Sequence, residues 1–115
     1  MAFIDGFLAA VSNDRKDEYI AAAQQSWALF KDYGALAQRE CWGADVPQGK
    51  VTSFPMAVKL QEGETVVFSW IEWPDRATRD ACYATMETDP RWKDMQMPFD
   101  GQRMIYGGFE PIFEG

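Results

Sequence analysis

Residues Phe3 to Val11 alternate loosely between apolar and other positions, which predicts a strand with small residues at Gly6, Ala9 and Ala10. Ser12-Asn13-Asp14 then offers N-cap residue types, and Asp17 and Glu18 suit the positive end of a helix dipole. Tyr19, Ala23, Trp27, Phe30 and Tyr33 follow at helical spacing, with Gly34 placed to end the helix in the left-handed conformation. Leu36 to Gly43 reads as a second strand, followed by a loop containing Asp45, Pro47 and Gly49. Residues 52–60 fit either a short helix capped by Ser53, with Pro55 in its first turn, or an edge strand; the helix is favoured. Glu62-Gly63-Glu64 turns the chain into Thr65–Trp73, a strand dense in β-branched and aromatic residues. Pro74-Asp75 opens a second long helix to about Thr88, where Asp89-Pro90 breaks it. A short helical turn within 91–97 and a turn at 98–101 lead to a last strand, Arg103 to Phe113, whose Pro111 places its far end at an edge.

The order strand, helix, strand, strand, helix, strand predicts an α+β, ferredoxin-like βαββαβ domain over residues 1–115, with an antiparallel sheet and its helices on one face. Period-two alternation then raises a difficulty. Val66, Phe68, Trp70 and Glu72 fall on one face of the third strand, while Val67, Ser69, Ile71 and Trp73 fall on the other. The first strand sets Phe3, Asp5 and Phe7 against Ile4, Gly6 and Leu8. Two helices bury one face only, so the second aromatic face needs a partner, and the expected partner is a second copy of the chain.

Composition narrows the chemistry. The 115 residues carry 11 Lys+Arg, 18 Asp+Glu and no His, for a net charge of −7. Without imidazole there is no Ser-His-Asp or Cys-His nucleophile pair and no His-held zinc or haem. Basic residues are scattered and form no stripe, so no nucleic-acid partner is expected. No apolar run approaches the ~18 residues that a membrane helix needs, so no membrane partner is expected either. Cys41 and Cys82 are too few for a disulfide scaffold, and Met-Ala-Phe-Ile-Asp lacks the character of a signal peptide; both fit a cytoplasmic protein. No cofactor and no metal is expected.

Five segments carry a resemblance: Glu40-Cys41-Trp42-Gly43, Thr52-Ser53-Phe54-Pro55, Thr65–Pro74, Met97-Pro98-Phe99-Asp100-Gly101 and Arg103–Phe109. In this order they resemble the YbaA-like family of small bacterial proteins across nearly the whole chain. The resemblance implies the dimeric α+β barrel superfamily, in which two ferredoxin-like subunits join through their sheets. It brings no catalytic residues with it, and the superfamily spans enzymes and ligand sensors.

The polar residues on the apolar strands are therefore the candidates. If Asp5, Phe7, Glu40, Trp42, Phe68, Trp70 and Glu72 share the dimer side, three carboxylates line an aromatic cavity. Asp5, Glu40 or Glu72 would act as acid or base, and Arg103 or Tyr106 would stabilise negative charge. Phe7, Trp42, Phe68 and Trp70 would hold a small, partly apolar ligand. Met95, Met97 and Met104 with Trp92 and Phe99 fit core packing or a dimer contact ahead of a pocket lid. The leading expectation is a cytoplasmic homodimer that binds such a molecule and acts on it, if at all, without a bound cofactor. The alternative is an interaction or sensor module whose aromatics are only the dimer core.

Overall fold

The computed structural model describes all residues, 1–115. Its elements are β1 (Phe3–Ser12), α1 (Lys16–Asp32), β2 (Ala37–Trp42), α2 (Phe54–Ala57), β3 (Glu64–Trp73), α3 (Arg76–Ala84) and β4 (Ile105–Phe109). The strands form a single antiparallel sheet in the order β2-β3-β1-β4. This is the ferredoxin-like arrangement expected from the alternation of elements.

Local chemistry accounts for most boundaries. Gly34 ends α1 with φ +104°, and a side chain there would meet Thr78 Cγ2 at 2.8 Å. Asp75 caps α3 by accepting the Thr78 backbone N–H at 2.7 Å. Ser53 caps α2 in the same way through Met56 N, so residues 52–60 hold the short helix and not the edge strand.

Three expectations change. A 3-10 turn at Asn13–Arg15 precedes α1, and no side chain caps it. Asn13 instead accepts a hydrogen bond from Thr65. The helix α3 stops at Ala84, with Thr85 Oγ1 bonded back to the Cys82 carbonyl, and not near Thr88. Only Ile105–Phe109 of the last strand pairs, because Asp100-Gly101-Gln102-Arg103 is still a turn and Pro111 cannot donate to a ladder.

The register fixes the faces. Phe3, Asp5, Phe7 and Ala9 on β1 pair with Trp73, Ile71, Ser69 and Val67 on β3, and Gln38, Glu40 and Trp42 extend this face onto β2. It lies under α1 and α3, where Phe3, Phe30, Ile71, Trp73 and Cys82 form the largest core cluster. The opposite face carries Leu8, Phe68, Trp70, Ile105 and Phe109. One end of that face is covered: Val58, fully buried just after α2, packs on Ala10 and Val66. The rest is open in the single chain, with Phe68 45%, Ile105 44% and Phe109 59% exposed.

Candidate functional site

A cavity of about 380 Å³ lies between the helix-covered face of the sheet, α1 and the irregular segment 86–104. Its floor is Phe7 and Ala9 of β1, Ser69 and Ile71 of β3, and Gln38 and Glu40 of β2. Tyr19, Ser26 and Phe30 reach it from one face of α1, since offsets of seven and four residues return a helix to the same side. Met86, Trp92, Met95, Met97, Phe99 and Met104 form the outer wall. The space exists because the middle of the sheet carries the small residues Ala9 and Ser69, between a cluster around Trp73 and one around Val11 and Tyr19. Side chains filling a core to normal density would leave no such void.

The polar lining is concentrated on β2 and α1. Tyr19 donates its O–H to Glu40 Oε1 at 2.6 Å, while Gln38 Nε2 donates to Glu40 Oε2 at 2.9 Å and to Ser26 Oγ at 3.1 Å. Ser26 in turn donates to the Ala23 carbonyl at 2.8 Å. Burial, with the Glu40 carboxylate beside it, pushes the Tyr19 phenol far above its usual range, so Tyr19 stays a neutral donor. Gln38 Oε1 is buried and has no hydrogen-bond donor. An orphaned buried acceptor of this kind costs roughly 1–3 kcal/mol. Turning the amide over would set Oε1 against the Glu40 oxygen that the amide N–H now meets at 2.9 Å.

The expected constellation is divided. Glu40 and Phe7 line the cavity. Trp42 lies on the same face one step along β2, under Lys16 Nζ at 5.1 Å from its ring centre. Phe68, Trp70 and Glu72 point to the opposite face, where Trp70 Nε1 donates to Glu72 Oε2 at 3.3 Å. The three carboxylates therefore do not share one cavity: Asp5 and Glu40 pair with Ile71 and Ser69 on the helix side, while Glu72 is one residue out of step with them and projects from the opposite face.

Asp5 is on the helix side but enclosed. It is 2% exposed, and accepts from Trp73 Nε1 at 2.9 Å, Tyr83 O–H at 2.6 Å and Arg79 Nε at 3.1 Å. Arg79 and Tyr83 are one turn apart on α3, so Asp5 fastens that helix to the sheet. Burial and this carboxylate push the Tyr83 phenol upward, and burial pushes the adjacent Cys82 thiol up to about 11. Arg103 lies before β4 and grips Glu64 through both guanidinium nitrogens at 2.7 and 2.8 Å, with Asp100 at 3.1 Å. It anchors the end of the covering segment; the guanidinium holds the Glu64 carboxyl below its usual range. Tyr106 is 71% exposed on the edge strand, stacked on Phe7 at 6.4 Å.

The polar lining residues not singled out from the sequence are Tyr19, Ser26 and Gln38; the stretch of Met95, Met97 and Met104 with Trp92 and Phe99, read first as core packing or a dimer contact, lines the cavity. A signal existed for all three polar residues. Gln38 and Glu40 are two apart on a strand, and Tyr19 and Ser26 are seven apart on a helix, so each pair had to share a face.

The fold and the cavity together define a ferredoxin-like domain with an apolar pocket on the helix side of its sheet. The chain belongs to the family described as "Protein of unknown function (DUF1428)", whose model matches residues 2–101. It is 55% identical over 116 residues to the uncharacterized protein YbaA of Escherichia coli K12, covering 99% of each chain. Among solved structures it is similar to a dimeric ferredoxin-like protein from an uncultured marine organism (TM-score 0.63, 14% identity, 99% of this chain and 98% of that one). It is also similar to SnoaB, a cofactor-independent oxygenase from Streptomyces nogalater (TM-score 0.61, 10% identity, 98% and 94%). At such identities the likeness is one of fold. No helix is long and apolar enough to cross a membrane.

Proposed function

We propose that the protein binds a small, largely apolar molecule in the helix-side cavity, and that it does so as a homodimer joined through the opposite face of the sheet. The carrying observation is the cavity itself, about 380 Å³ and walled mainly by aromatic and methionine side chains around a compact polar end. Pockets of this size and character are the usual seat of small ligands. Phe7 packs against the occupant and Glu40 is the charged group nearest it; Asp5 serves as the fastener of α3. The open aromatic face, with Phe68, Ile105 and Phe109 exposed, supports the dimer, as does the dimeric state named for the marine relative. Net charge −7 and two free thiols suit a cytoplasmic setting.

The test is a neutral fluorophore that brightens in apolar surroundings, N-phenyl-1-naphthylamine. It should bind at micromolar concentration, one per chain, with a blue shift. Ser69→Leu, which places a branched chain in the cavity floor, should weaken binding at least tenfold while the circular dichroism spectrum is retained. Equal binding to a folded Ser69→Leu variant, or none to the wild type, would refute the cavity as a binding site.

A further inference from the structure

Resting on the binding reading of the helix-side cavity, we infer that its occupant is a cation: a primary or secondary ammonium group on an apolar body of about two rings, held by the Glu40 carboxylate.

Glu40 is the one charged residue that lines the cavity, and none of the molecule's ion pairs includes it. Both of its oxygens accept from neutral donors, Tyr19 O–H at 2.6 Å and Gln38 Nε2 at 2.9 Å, which spread the charge and do not cancel it. The cations that could have done so are turned elsewhere. Arg39, next in the chain, pairs with Trp70 and projects from the other face of the sheet, its guanidinium 5.7 Å from that ring. Lys16, one turn before Tyr19 on α1, sits over Trp42. Arg103 is held by Glu64 and Asp100.

Filling the cavity raises the cost of leaving Glu40 unpaired. A neutral apolar molecule strips water from the carboxylate and returns nothing, and a carboxylate or phosphate adds a like charge with nothing to offset it. An ammonium group instead replaces the lost water with a charge-assisted N–H···O bond. Ser69 lies directly across from Glu40 on the cavity floor. Its hydroxyl oxygen offers a second acceptor to another of the ammonium's N–H groups. The aromatic and methionine walls also suit a cation, since ring faces attract positive charge and thioether sulfur is polarisable. A cavity of ~150 Å³ holds benzene. At about 380 Å³ this one has room for a second ring and a short amine-bearing arm.

Calorimetric titration of the full-length protein at neutral pH with three naphthalenes of one shape tests this: 1-naphthylmethylamine, 1-naphthalenemethanol and 1-naphthoate. The amine should bind at least tenfold more tightly than the alcohol, and the naphthoate should not bind measurably. With a net charge of −7 the whole surface draws cations, so two controls locate the effect. Sodium chloride at about 0.5 M screens attraction to the surface but weakens a pair inside the cavity far less, so the preference for the amine should stay within about threefold of its low-salt value. Glu40→Gln keeps the volume and removes the charge, and should bring amine and alcohol to within about threefold of each other. The salt series uses the wild type, so it decides even if Glu40→Gln does not fold. An alcohol bound as tightly as the amine, tightest binding of the naphthoate, a preference lost in salt or one unchanged in a folded Glu40→Gln variant would each overturn the charge assignment while leaving the cavity a binding site. If none of the three binds, the binding reading itself fails, and the charge assignment with it.

Discussion

Asp5→Ala should be the most damaging substitution outside the apolar core, lowering stability by about 3–5 kcal/mol. The carboxylate takes hydrogen bonds from Trp73, Tyr83 and Arg79, and the Arg79 side chain is only 18% exposed. Removing it leaves an indole N–H and a phenol without their acceptor, and the Arg79 guanidinium with only the exposed Asp80 carboxylate, at 2.7 Å. For a domain whose whole stability is on the order of 5–15 kcal/mol, that is a loss of tens of degrees in Tm or of folding outright. The double variant Asp5→Ala/Arg79→Met removes the guanidinium as well and should recover part of the loss, so the two changes will not add. Chemical denaturation of the three variants measures this. If Asp5→Ala lies within 1 kcal/mol of the wild type, Asp5 does not hold α3 to the sheet.

The second large effect concerns assembly. Phe68 is centred on the open face between Leu8 and Cys41 on the neighbouring strands, with Phe54 and Trp70 against its ring at 6.0 and 5.6 Å. In a dimer built on this face it would be a buried aromatic at the middle of the contact, the kind of residue that carries most of an interface's energy. Phe68→Glu would bury a charge with no partner, adding repulsion to the lost packing. Light scattering should find the wild type dimeric at micromolar concentration and the variant monomeric, with the dimer dissociation constant raised at least a hundredfold. The variant should keep its fold, because Phe68 is 45% exposed within the single chain and its loss opens no cavity under α1 or α3. A wild type that is monomeric, or a variant that stays dimeric, would remove this face from the assembly.

The difference between these two acidic-and-aromatic strands shows what the sequence disclosed and what it concealed. Alternation sorted β1 and β3 each into its two faces, because a strand in a sheet has no freedom in that respect. The excess of rings on Phe68, Trp70 and Phe109 was likewise visible as a second apolar face. Alternation within a strand does not relate one strand to the next, however. Grouping Asp5 and Phe7 with Phe68, Trp70 and Glu72 was wrong: Asp5 and Phe7 pair with Ile71 and Ser69 on the helix side. The register of β1 against β3 thus sets Asp5 on the face opposite Glu72, and the register of β2 against β3 pairs Glu40 with Ser69. The register placed Glu40 with Asp5, and the three-carboxylate cavity came apart.

The cavity was hidden for a related reason. Its walls come from α1, three strands and the segment 86–104, and the methionines of that segment resemble core residues in composition. Only the packed structure shows that Ala9 and Ser69 are too small to meet them. Glu40 illustrates the same limit. Its chemistry lies in a charge that no cation offsets, and that is a property of its neighbours Tyr19 and Gln38, not of a glutamate in a strand. Arg103 was read as a free cation for the site because nothing in the sequence shows that Glu64 and Asp100 already hold it.

The methionines also provide the most direct test of where a ligand sits. Of the six in the chain, Met86, Met95, Met97 and Met104 line the helix-side cavity, while Met56 is on α2 across the sheet and Met1 is at the exposed N-terminus. With the methionine methyls labelled in carbon-13, titration with N-phenyl-1-naphthylamine should move the four cavity resonances through the ring current of the bound molecule and leave Met1 and Met56 in place. A spectrum in which Met56 moves and the four do not, or in which no methyl moves at saturating concentration, would contradict the account.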